Sequence, residues 1–194
     1  MYSALNLLEI EELRNGTRRE QKQYAKYYKN KQYLTLDIPH KVLQRARAFC
    51  EDVTEMNEYW EYELSDLFEI LVSNFIKWMR EQSDPKDVYS RLQEINRYII
   101  TSFPNEKEKK HLIISGNHKN DFRPITVSFD YNVVLRLEVL LDDMNYIYKK
   151  HGYTVEVVIA SLMCDYIRKV QSDGKGMAKD IVDYILVEWE DRLV

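Results

Sequence analysis

Gln32-Tyr33-Leu34-Thr35-Leu36-Asp37-Ile38-Pro39 is the stretch whose reading decides the fold. Leu34, Leu36 and Ile38 alternate with Tyr33, Thr35 and Asp37, the period of a strand with one face buried and one exposed. Pro39 ends the strand and suits the first turn of a helix. Beyond it, Val42, Leu43, Ala46, Phe49, Cys50, Val53 and Met56 fall at helical spacing. After an acidic turn, Leu64, Leu67, Phe68, Leu71, Val72, Phe75, Ile76 and Met79 mark a second helix.

The same plan returns 91 residues later, without a gap. From Pro124 to Asp130, Ile125, Val127 and Phe129 alternate with Thr126, Ser128 and Asp130. A helix follows through Val133, Val134, Leu137, Leu140, Leu141, Met144 and Ile147. A second carries Val155, Val158, Ile159, Leu162, Met163, Tyr166, Ile167 and Val170. Few residues are identical between the copies (Thr35 and Thr126, Arg45 and Arg136, Tyr62 and Tyr153 among them), yet the apolar register holds over roughly 45 positions.

The remaining segments are helical or connecting. Residues 2–13 predict a short amphipathic helix, and 17–31 a basic, tyrosine-bearing stretch. Ser83-Asp84-Pro85 is a stop followed by a helix start, leading a helix over 86–101. Residues 102–123 hold turn residues and charges and are expected to be a linker; 177–193 predict a terminal amphipathic helix. The expected organisation is therefore 1–31 (helix and basic arm), 32–82 (first unit), 83–123 (helix and linker), 124–173 (second unit) and 174–194 (C-terminal helix).

Composition supports a helix-rich globular chain. Of 194 residues, 45% are hydrophobic and 31% charged, with only five glycines and four prolines. The two cysteines, Cys50 and Cys164, have no CxxC spacing and the four histidines are scattered, so no metal site and no cofactor are expected. The cysteines fall on or beside apolar helix faces, where cysteine acts as a small hydrophobe. No Ser-His-Asp ordering or glycine-rich phosphate loop is present, and no catalytic role is assigned. No apolar run approaches membrane-spanning length and no basic region precedes the N-terminal apolar stretch. A cytoplasmic protein without membrane association is expected.

Charge is segregated along the chain. The net charge is −4, which argues mildly against a nucleic-acid partner. From Arg14 to Lys31, however, seven bases face one acid, Glu20, whereas Glu51 to Glu69 holds eight acids and no base. An anionic partner is thus directed to one part of the chain and a protein partner to the acidic 51–69 segment.

A single strand followed by two helices cannot bury its apolar face alone. Two such units can, if their strands pair antiparallel over the four helices. In this respect both repeats resemble the ribbon-helix-helix DNA-binding proteins of the Arc, MetJ and CopG-like kind. The second copy is the closer match, through PITVSFDYNVVLRLEVLLDDM (124–144) and HGYTVEVVIASLMCDYIRK (151–169). The first, YLTLDIPHKVLQRARAF (33–49) and ELSDLFEILVSNFIKWMR (63–80), matches in strand and helices but not in the turn. The resemblance covers about half the chain. It implies a mainly α fold with short β-strands: two ribbon-helix-helix units whose strands pair as an antiparallel two-stranded ribbon, plus additional helices.

It also implies sequence-specific binding of double-stranded DNA, with the ribbon in the major groove and outward strand side chains reading base edges. Those positions are Tyr33, Thr35 and Asp37 in the first copy and Pro124, Thr126 and Ser128 in the second. Asp37 is suited to a cytosine amino group but repels phosphate. The family clamps a phosphate at the N-terminus of the second helix, where backbone N–H groups and the helix dipole attract anions. Gly152-Tyr153-Thr154, with Lys149 and Lys150 upstream, fits that role. The counterpart, Glu61-Tyr62-Glu63, opposes it. Arg18, Arg19, Lys22, Lys26, Lys29 and Lys31 form a basic arm for backbone phosphates, as does Arg123 before the second strand.

The two strands can pair within one chain or between two chains. The linker of about 40 residues permits either, and effective concentration favours the intrachain form; self-association through ribbon or helices is expected in the other. The implied function is a transcriptional regulator, such as a repressor. The alternatives are a relaxosome or plasmid-maintenance accessory, or a protein-interaction module that has lost DNA binding.

Overall fold

The computed structural model describes residues 1–56, 61–82, 84–96, 100–102, 111–113, 122–149 and 151–173. The predicted C-terminal helix over 177–193 and Lys150 lie outside the described residues. Among those described, the chain is mainly helical, with a long two-stranded antiparallel sheet and a second short one. None of the described helices is long and apolar enough to cross a membrane.

The chain begins with an irregular segment and α1 (Leu7–Glu12), followed by a 3-10 turn (Leu13–Asn15) and α2 (Arg18–Tyr28). Asn6 takes a left-handed backbone (φ 53°) as α1 starts, so the helix expected over 2–13 covers only its second half. The Glu20 N–H donates to Thr17 Oγ1, and the Thr17 N–H to the Glu20 carboxylate. This reciprocal cap makes the basic stretch a defined helix.

Next come β1 (Gln32–Pro39), α3 (His40–Met56) and α4 (Leu64–Glu81). α5 (Pro85–Ile95) starts on Asp84, whose carboxylate accepts from the Lys86 N–H, with Pro85 in the first turn. It ends at Ile95 rather than near 101. The linker expected over 102–123 is partly β structure: β2 (Ile100–Ser102) pairs antiparallel with β3 (His111–Ile113). β4 spans Phe122–Phe129, two residues earlier than the alternation alone indicates, and leads into α6 (Tyr131–Ile147) and α7 (Val155–Asp173). Alternation cannot locate a strand end lying beyond the buried positions, because pairing sets that end.

β1 pairs with β4 within the chain, antiparallel, over their full lengths. In this register Thr35 faces Thr126, and the two are 91 residues apart. Adding the same offset to the bounds of α3 gives those of α6, and added to the start of α4 it gives the start of α7. The repeat is therefore spatial as well as sequential, and its approximate two-fold axis passes through the Thr35–Thr126 pair.

Burial follows the alternation. Leu34, Leu36 and Ile38 are buried while Tyr33, Thr35 and Asp37 are exposed; Val127 and Phe129 are buried, Ile125 partly, and Thr126 and Ser128 are exposed. The inward strand residues share one core with Leu43, Phe49, Val53, Phe68, Val72, Leu137, Leu141, Val158 and Met163. Packing crosses between the copies: α7 lies against β1 and α3, and α4 against β4 and α6. Each fully buried aliphatic side chain contributes about 1.5–3 kcal/mol, and neither copy builds this core alone. Beside it, α5 docks on α7 through Asp165, which is almost wholly buried and meets Arg91 at 3.4 Å, Arg168 at 2.8 Å and Lys169 at 2.7 Å.

Candidate nucleic-acid interface

Because successive strand residues point to opposite faces, the outward face of β1–β4 collects Tyr33, Thr35 and Asp37 from one strand and Pro124, Thr126 and Ser128 from the other. The cross-strand pairs are Tyr33–Ser128, Thr35–Thr126 and Asp37–Pro124. The two threonine hydroxyls lie 3.5 Å apart, and Tyr33 is 66% exposed. All six outward positions expected to face bases thus lie on one side of one ribbon. Its centre is uncharged and hydroxyl-rich, and its only described carboxylate is Asp37. Such a surface both donates and accepts hydrogen bonds, as base edges do.

The ends of the ribbon differ. At the Tyr33–Ser128 end, Lys31 pairs with Asp130 at 2.9 Å. Tyr24 and Tyr28 of α2 pack edge-on against Tyr131, which fixes α2 beside this end. Arg18, Arg19, Lys22, Lys26 and Lys29 are exposed, so the basic arm is a docked helix rather than a loose extension. Arg123 lies inside β4, opposite Ile38 in register and at the other end of the ribbon.

The N-terminus of α7 is where sequence reasoning missed most. Gly152 adopts φ 75°, a left-handed conformation glycine takes at little cost, and this turns the chain into the helix. Thr154 Oγ1 accepts from the Val157 N–H. The chain's own first residues then close much of that end. The Val155 N–H donates to the Tyr2 carbonyl at 2.7 Å, and the Ala4 N–H donates to the Glu156 carboxylate at 2.7 Å. Tyr2 stacks on His151 and donates its hydroxyl to Asp142. His151 Nε2 lies 2.9 Å from the Leu141 carbonyl, and the Tyr153 N–H donates to Nδ1. A carbonyl only accepts and an amide N–H only donates, so the ring proton sits on Nε2. The Tyr153 ring is buried, whereas Gly152 and Lys149 stay exposed. This end is therefore not the open amide cradle that Gly152-Tyr153-Thr154 suggests.

The same N-terminal segment supplies donors to a buried carboxyl group. Glu138 is 0% exposed; the Ser3 hydroxyl and the Leu8 N–H donate to its two carboxylate oxygens, and Ser3 Oγ accepts from the Leu5 and Asn6 N–H groups. One signal pointed to this network: Glu138 stands within the apolar stripe of α6, next to Leu137 and Leu141, and a carboxylate there requires donors.

In the first copy, Glu61 and Glu63 flank the buried Tyr62, and the Glu63 N–H donates to Asp66. Carboxylates thus surround the N-terminus of α4. Burial pushes the thiols of Cys50 and Cys164 up to about 12, so both are inert at neutral pH. Among the described residues no group of three or more histidine, cysteine, aspartate or glutamate side chains is placed to hold a metal ion.

No family model matches the chain, and comparison with curated proteins and with solved structures found no match.

Proposed function

We propose that the chain is a tandem ribbon-helix-helix protein that binds double-stranded DNA, with the β1–β4 ribbon in the major groove, and acts as a transcriptional regulator. The observation that carries this reading is the intrachain ribbon centred on Thr35 and Thr126, which projects Tyr33, Thr35, Thr126 and Ser128 outward from a core built by both copies. A two-stranded ribbon fits the major groove, and threonine and serine hydroxyls bond several base edges. α2 packs through Tyr24 and Tyr28 on Tyr131 at one end of the ribbon, and its exposed cations, together with Lys149, Lys150 and Arg123, supply backbone contacts in this reading. Gly152, Tyr153 and Thr154 play a smaller part than in a symmetric clamp, because Tyr2 and Ala4 occupy that end. The two halves of the ribbon differ at every outward pair except the central one, so the preferred site is not a perfect palindrome. A relaxosome or plasmid-maintenance role uses the same surface.

Gel-shift of genomic fragments at low and moderate salt tests the proposal. Retained fragments should show a salt slope of roughly −0.9 per phosphate contact, and Thr126→Val should change sequence preference. If no fragment is retained even at low salt, the DNA reading fails.

A second reading is favoured by the carboxylates around the N-terminus of α4 and by Asp37 on the ribbon: a protein-interaction module in which the fold serves packing alone. Loss of fragment binding with a retained protein partner would select it.

A further inference from the structure

The outward row of the β1–β4 ribbon limits which base edges it can match. Two of its pairs, Thr35–Thr126 and Tyr33–Ser128, are exposed on both strands. Each of these four side chains carries one hydroxyl. The two threonines add a methyl group on the same carbon, and Tyr33 adds an aromatic ring. At the third pair Asp37 only accepts and Pro124 has no polar side-chain atom. No outward position of β1 or β4 carries arginine or lysine. Lys31, just before β1, is held by Asp130 at 2.9 Å, and Arg123 falls in the alternate set with Ile125 and Val127.

Guanine presents two adjacent acceptors in the major groove, N7 and O6, and its usual reader is arginine or lysine, each with several donors. A hydroxyl has one proton. Thymine instead presents one acceptor, O4, beside a C5 methyl group. A threonine offers one donor beside a methyl, so it matches thymine in both properties; Tyr33 does so with its hydroxyl and ring. The Thr35 and Thr126 hydroxyl oxygens lie 3.5 Å apart. Whichever donates to the other has no proton left for a base, but both methyls remain.

We infer that the ribbon selects A·T-rich major grooves through thymine C5 methyl groups, with Thr35, Thr126 and Tyr33 as the residues that pack on them. The preference presupposes the DNA-binding reading above and names the groove feature that the ribbon recognises. Ser128 supplies a hydroxyl alone, so at its end of the ribbon the methyl contact falls to Tyr33. Asp37 repels the acceptor edge of guanine, which adds to the bias against G·C pairs in that orientation.

The test takes a DNA fragment retained by the full-length chain and resynthesises it with deoxyuridine in place of thymidine. Uracil keeps O4 and the base pair and lacks only the methyl group. Affinity should fall about fourfold for each buried methyl removed. Thr35→Ser with Thr126→Ser keeps both hydroxyls and removes both methyls; with Tyr33→Ala added, the variant should bind the two fragments equally. Thr35→Val with Thr126→Val keeps the methyls and should keep the difference. Retained fragments that are G·C-rich, an unchanged affinity for the deoxyuridine fragment, or an equal loss in the Ser/Ser/Ala variant would each overturn the thymine preference while leaving DNA binding intact. Retention of no fragment would overturn both.

Discussion

Thr35 and Thr126 face each other across β1 and β4 with their hydroxyl oxygens 3.5 Å apart, and each holds the other's place in its own repeat. A residue meets its own counterpart only on a two-fold axis. The pair therefore marks the axis that relates the copies, and it lies within a single chain. The two strands of the ribbon thus come from one polypeptide, and the two sides are free to differ in sequence.

If the ribbon is intrachain, Thr35→Cys with Thr126→Cys should oxidise within the monomer. Directly opposed antiparallel residues lie within disulfide reach. The product should run faster on a non-reducing gel at unchanged molecular mass. Cys50 and Cys164 should not compete, being buried with thiols raised to about 12. A disulfide-linked dimer as the main product would contradict intrachain pairing.

The two faces of β1 should differ sharply in energetic weight. Leu36 is buried beneath the ribbon and Tyr33 is largely exposed. Leu36→Ala should cost about 2–5 kcal/mol, whereas Tyr33→Ala should cost no more than about 1 kcal/mol. Urea unfolding midpoints check both. Equal losses would mean that the inward and outward faces are misassigned.

Acid should loosen the seat of α5 on α7. Burial opposes the charge on Asp165, but hydrogen bonds from Lys169 and Arg168, with the nearby Lys169 and Arg91 charges, outweigh it and hold the carboxyl below its usual range. A carboxylate depressed in the folded state contributes stability above its unfolded pKa of about 3.9. That contribution is lost as pH falls through the lower folded value. Stability followed by urea midpoint should decline below about pH 4, and Asp165→Asn should flatten that decline. An unchanged acid limb in the variant would remove Asp165 from the account.

The N-terminal segment should be structural. Ser3→Ala deprives the buried Glu138 of a donor and should cost about 1–3 kcal/mol. A double-mutant cycle with Glu138→Ala should show coupling of at least about 0.5 kcal/mol. Additive losses would show that the two side chains act separately.

Much of the architecture is legible in the chain because it is periodic. The alternation at Tyr33–Ile38 and Thr126–Phe129 places side chains on faces without reference to any neighbour, and the structure puts them there. The helical stripes of α3, α4, α6 and α7 were equally readable. The short strands at 100–102 and 111–113 and the first residues of β4 were not, because β2 and β3 owe their state to pairing with each other and β4 to pairing with β1. The expected phosphate clamp rests on Gly152-Tyr153-Thr154 with Lys149 and Lys150 upstream, all of it local sequence. At that helix end the Val155 N–H meets the Tyr2 carbonyl and the Glu156 carboxylate takes the Ala4 N–H, partners about 150 positions away in sequence, which local pattern does not reveal.

The sequence by itself determined that there are two copies, which face of each strand is buried, and where the charges gather. These follow from the periods of 2 and 3.6 residues and from residue identity, all local quantities. Only the tertiary structure decided that β1 takes β4 of its own chain as partner, that Thr35 meets Thr126, and that residues 1–6 close the N-terminal end of α7. Hydrogen-bonding groups accept any suitable partner. Which one they meet depends on the packing of the whole chain, and that choice makes two similar copies into two different surfaces.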